Sequence, residues 1–182
     1  MPSSMLFRAL ILIACFAPVP GLASDNIIET VERSPQVDEK VRSVLTIGTS
    51  ASHPDMVLGN KQALIAAEIR KLLKSNGVQV FAIGVKPGEP DVAKVIAEGV
   101  AKFDVSHTLS LTIPSGTVMV KRSTGESVSA KSYEVKTQLK KAATGEVAWA
   151  HTAQVDAGFL LGASNSEVAQ AIVARMRSDG LL

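Results

Sequence analysis

His53 and Asp55 flank Pro54 and set an imidazole beside a carboxylate, the pair that a small hydrolase or metal-dependent enzyme would use. They fall in a loop after a short strand-like run, where the carboxyl ends of parallel strands often gather ligands. A lone loop histidine is more often simply solvated. The other two histidines, His107 and His151, lie in phase with the apolar sets of two alternating stretches. Across an antiparallel sheet, whose strands stand about 4.8 Å apart, such residues can approach one another. Two imidazoles with no third ligand at a recognisable spacing make poor evidence for zinc, and half-buried histidines at a sheet edge explain them better. No G-x-S-x-G elbow and no G-x-x-x-x-G-K-[ST] phosphate loop occurs. Gly84 and Gly88 bracket a loop that lacks the helix-opening lysine of a phosphate site. The reading is therefore of a chain with no catalytic residues, no metal site and no cofactor, with His53 and Asp55 kept as the enzymatic alternative.

The elements that must position these residues centre on Ser132–Val155. Tyr133, Val135, Thr137 and Leu139 alternate with Glu134, Lys136, Gln138 and Lys140, which predicts a strand with one wet face. Lys141–Gly145 supplies a turn, and Val147, Trp149, His151, Ala153 and Val155 form a second alternating set. Trp149 is the only tryptophan, and its in-phase neighbours Val147 and Val155 make it a core anchor rather than a stacking platform. A ribbon of two strands is marginal alone, so other segments must complete a sheet and cover it.

Upstream, Val44–Gly48 reads as a strand and Lys61–Ser75 as a helix, with Leu64, Ile65, Ile69, Leu72 and Leu73 on one stripe. Asn76-Gly77 stops that helix, and Val78–Ile83 follows as a strand, so the two strands are parallel with a right-handed crossover. Asp91–Lys102 is a second helix and Val105–Ile113 the cleanest strand. Thr117–Lys131 is a hairpin arm or a mobile loop. Ser164–Ser178 closes the chain as a helix, with Ser164 and Glu167 at capping-box spacing and Val168, Ile172 and Met176 as its seam. The predicted fold is α+β in two layers: a mixed sheet of about five strands in the order β-α-β-α-β-β-β-α, with helices mainly on one face.

Three parts of unequal kind divide the chain. Residues 1–23 carry Arg8, the apolar run Ala9–Ala17, the breakers Pro18 and Pro20, and small residues at Gly21 and Ala23, the pattern of a secretory signal peptide cut before Ser24. Leu12-Ile13-Ala14-Cys15 also resembles a lipobox, and lipidation at Cys15 would anchor the product to a membrane. Either way the domain is expected outside the cytoplasm, in the periplasm if the leader is cut. Residues 24–43 are read as a polar linker and residues 44–182 as a single α/β domain. Cutting the leader removes the only cysteine and takes the formal charge from +2 to +1, a balance that gives no reason to expect nucleic acid as a partner. Lys121, Arg122 and Lys131 would suit a polyanion, but Glu126 and Glu134 among them point to a solvated ribbon. A protein partner is expected instead, with Val118, Met119, Val120, Lys121 and Arg122 as its contact, because strand-like exposed pieces can add to a sheet edge.

The pattern Y-E-V-x-x-x-L at Tyr133–Leu139, followed by T-G-E-V-A-W at Thr144–Trp149, resembles the hairpin of small bacterial envelope domains. Hairpin and element order are similar to those of the penicillin-binding-protein activator lipoproteins, the curli-secretion lipoproteins and the amino-terminal domain of the Tol translocation protein. The resemblance covers roughly Val44–Met176. It implies a non-enzymatic accessory of envelope assembly that works by protein contacts with other envelope proteins.

Overall fold

The computed structural model describes residues 27–33, 40–49, 56–86, 88–114, 118–121, 127–156 and 163–182. In chain order these build β1 (Ile27–Arg33), β2 (Ser43–Thr49), α1 (Met56–Ser75), β3 (Gln79–Val85), α2 (Val92–Phe103), β4 (His107–Thr112), β5 (Val118–Lys121), β6 (Ser127–Lys141), β7 (Val147–Asp156) and α3 (Asn165–Ser178). The sheet runs β1-β7-β6-β4-β2-β3, with β5 paired to β6 beside that path. β2 is parallel to β3 and to β4, and the remaining pairs are antiparallel, so the sheet is mixed as its element order predicts. The five expected strands are all present, and β1 and β5 extend them to seven.

β6 is the spine because, at 15 residues, it is long enough to pair with three other strands. Its first part pairs with β5 and its last part with β4, while β7 runs along the other side. Thr117–Lys131 is thus a hairpin arm over its described residues. β1 lies in the segment read as a polar linker. Its backbone pairs with β7 from Ile27 opposite Val155 to Arg33 opposite Ala150, and Ile27 is buried. Charged residues hid this strand, since ladder hydrogen bonds come from backbone and do not need an apolar side chain.

Strand alternation decides which residues reach which layer. Val44, Leu109, Leu139, Trp149 and Ala153 form one core with Ile65, Ile69 and Leu73 of α1 and Val168, Ile172 and Met176 of α3. α1 and α3 pack side by side over this face. Leu64, counted on the apolar stripe of α1 by spacing, is instead 54% exposed. α2 lies on the opposite face: a Cβ on Gly99 would come within 2.9 Å of Leu45 Cδ2, and Phe103 stacks on Phe81 at 4.6 Å between ring centroids. The reason is topological. The crossover from β2 to β3 and the return from β3 past β2 to β4 run in opposite directions, so right-handedness puts their helices on opposite faces.

Local signals end the helices where they are needed. Gly77, at φ +80°, carries the chain out of α1 directly into β3. α3 starts with the full capping box: Ser164 Oγ accepts from Glu167 N, and Glu167 accepts in return from Ser164 N.

Candidate functional site

His53 and Asp55 lie outside the described residues. His107 opens β4 and is 3% exposed, with Nδ1 2.9 Å from Ser106 Oγ. Ser106 donates its backbone N–H to Ser43 Oγ at 2.8 Å, and its hydroxyl donates to the Ser43 carbonyl at 2.8 Å. A serine next to a histidine invites comparison with a nucleophile and its base. Here the hydroxyl proton is committed to a backbone carbonyl, and the bonds bridge the point where the β2–β4 register begins at Val44 opposite His107. The arrangement fastens two strand starts.

His107 and His151 do not meet. β6 lies between β4 and β7, with His107 opposite Lys141 and His151 opposite Thr137, four positions apart along the strand. Nor is His151 at a sheet edge, because β1 covers β7 and the imidazole is 1% exposed. It lies flat against Trp149, ring centroids 5.3 Å apart and planes 4° from parallel. Among the described residues no group of three or more His, Cys, Asp or Glu is placed to hold a metal ion.

Trp149 is fully buried, as its in-phase neighbours predict, and its indole N–H donates to Asp179 Oδ2 at 2.8 Å. Arg175 Nε donates to the same oxygen at 3.1 Å and also stands 3.1 Å from Asp179 Oδ1. A buried indole N–H needs an acceptor, and a carboxylate just past the end of α3 supplies it. Sequence spacing gives no hint of this pair, which is separated by 30 residues. Tyr133 is also deeply buried, which raises its hydroxyl above the usual tyrosine range, and Lys61 Nζ sits 5.3 Å from its ring centroid.

A shallow cleft of about 780 Å³ opens at the amino-terminal ends of β2 and β3, bordered by Lys40, Arg42, Ser43, Asn76 and Gln79. It is at the opposite end of the parallel strands from where such sheets usually bind ligands. Lys40 and Arg42 are the cations among its lining residues, and Arg177, in the last turn of α3, bonds the lining Asn76 across the two helices. Among the described residues that line it there is no carboxylate or imidazole side chain.

The expected partner contact, Val118–Arg122, is β5 up to Lys121, antiparallel to β6; Arg122 is outside the described residues. Among the described residues the sheet has other open borders that spacing does not reveal. β1 and β3 end the strand order, and only topology identifies them. β3 is the apolar one, reading QVFAIGV without a proline or a charge.

No family model matches the chain, and no curated protein matches it. Among solved structures, the PelC dodecamer from Paraburkholderia phytofirmans superposes with a TM-score of 0.52 at 15% identity, covering 85% of this chain and 98% of that one. A single-substitution PelC variant from the same organism, also a dodecamer, gives a TM-score of 0.50 at 16% identity over 84% and 95% of the two chains. Lipoprotein GNA1162 from Neisseria meningitidis gives 0.45 at 18% identity over 75% and 94%. At such identities the likeness is one of fold alone. Among the described residues no helix is long and apolar enough to cross a membrane.

Proposed function

We propose that this chain is a non-enzymatic accessory protein of the bacterial envelope that acts through protein contacts. The observation that carries the reading is the match in fold to PelC over 98% of that chain, because the matched protein is a subunit of a dodecamer. A leader-like stretch at residues 1–23 agrees with an envelope location. So does the likeness of the Thr144–Trp149 turn to the hairpins of the penicillin-binding-protein activators, the curli-secretion lipoproteins and the Tol amino-terminal domain. The polar chemistry described above fits the same reading, since the serine cluster joins strands and Asp179 serves a buried indole.

Fractionation and crosslinking in a bacterium expressing the full sequence test the proposal. The expected result is recovery with the envelope or periplasm, in crosslinked species containing a second copy or an envelope protein. Recovery in the cytoplasm as an uncrosslinked single chain would overturn it. Mass spectrometry of the recovered product separates a chain starting at Ser24 from one lipidated at Cys15.

A further inference from the structure

The outer border of β3 combines two features that one further chain would satisfy together. The first is backbone. Gln79 N–H donates to the Arg42 carbonyl at 2.9 Å, so Gln79 faces β2. By alternation Phe81, Ile83 and Val85 face β2 as well, while the N–H and C=O groups of Val80, Ala82 and Gly84 point outward. Among the described residues no strand pairs with that side. The β2–β3 register runs through seven residues without a bulge, so the border is straight. Lysines, prolines and bulges are the usual means of blocking an open strand, and β3 has none of them.

The second feature is the apolar layer beneath. Every large apolar residue of α2 is left incompletely covered: Val92 is 39% exposed, and Val95, Ile96, Val100 and Phe103 are half-buried. Phe81 and Ile83 of β3 are half-buried on the same face. No residue of α2 belongs to the main core. An added strand alone would satisfy the backbone but would leave this helix as it is. A second copy satisfies both, since it brings its own α2 to the same face.

We propose that β3 is a self-association edge, through which two copies pair antiparallel about a two-fold axis at Ala82. This names the surface for the protein contacts proposed above and rests on that reading. The symmetry is built into the outward groups. Ala82 falls opposite Ala82 of the second copy, and Val80 falls opposite Gly84 in both directions. Each opposed pair exchanges two N–H···O=C bonds, and the two sheets become one. The axis stands perpendicular to the sheet, so the two α2 helices flank the join on one face and can cover each other's apolar residues.

Native mass spectrometry and light scattering on protein produced from the full sequence test this edge. The wild type should be a dimer or a multiple of dimers. Ala82→Lys sets like charges against each other across the axis, and Ala82→Pro removes an outward N–H. Each should lower the mass at least two-fold, with circular dichroism unchanged. Should the proline variant fail to fold, the lysine variant decides, because the Ala82 side chain is already exposed. A monomeric wild type at the highest attainable concentration overturns the proposal. Assembly that persists in a folded lysine variant also overturns it, while leaving the broader reading of protein contacts standing.

Discussion

Ser164 and Glu167 show how a single pair of residues starts an element. Glu167 accepts a backbone hydrogen bond from Ser164 at 2.6 Å, and its own N–H donates to Ser164 Oγ at 3.2 Å. Hydrogen bonding to the carboxylate, from the Ser164 backbone first and then from the Ser164 side chain, holds the Glu167 carboxyl below the usual carboxylate range. A lowered folded value means that the ionised form favours the folded state. Its contribution is complete above the unfolded value of about 4.3 and is lost as pH falls through the lower folded value. Glu167→Gln should therefore lower the thermal midpoint at neutral pH, and the gap should close on acidification below pH ~4. Thermal scans of both proteins across that range check it; a gap that widens in acid would refute the assignment. This box was legible from residue type and spacing alone. The Trp149–Asp179 bond was not, because β7 and α3 meet only after the sheet is covered.

At the scale of the element, α2 shows what periodicity leaves open. Its apolar spacing predicts a helix, and a helix forms, but spacing does not say which face of the sheet receives it. Contact depends on Gly99, the buried residue of α2, whose position would bring a Cβ within 2.9 Å of Leu45 Cδ2 and 3.3 Å of two Ile83 carbons. Leu45 is fully buried and has little room to retreat. Gly99→Val should destabilise by about 1–3 kcal/mol through overpacking, despite the better helix propensity of valine. Gly84→Ala is the control, since no atom lies within 4 Å of the added carbon. Urea titrations should show a lower midpoint for the first variant and almost none for the second. Equal midpoints would mean that α2 stands further from the sheet. β1 teaches the complementary lesson: a strand made by backbone pairing at a border carries little signal in its side chains.

Across the whole molecule, distant segments close the domain against each other. Val41, just before β2, donates its N–H to the Leu181 carbonyl at 2.9 Å, and both side chains are buried in the core. Leu181 is in turn held by the turn at Gly180, through its N–H to the Met176 carbonyl at 3.0 Å. Residue 41 falls within the stretch read as a polar linker, yet it behaves as core. Leu181→Ala should cost about 2–5 kcal/mol, comparable to truncating any central leucine. A denaturation midpoint like that of the wild type would show that the carboxy-terminal turn is peripheral.

The alternation of β4, β6 and β7, the stripes of α1 and α3 and the turn glycines follow from local physics, because side-chain period and allowed φ act over a few residues. They were enough to determine the α+β class, the parallel opening, the antiparallel hairpin and Trp149 as core. Tertiary structure decided the rest. It inserted β6 between the strands of His107 and His151, covered β7 with β1, moved α2 to the far face and left β3 at the border. Each of these outcomes depends on which strand lies beside which, and pairing over long separations is governed by backbone geometry and crossover handedness that residue spacing does not encode.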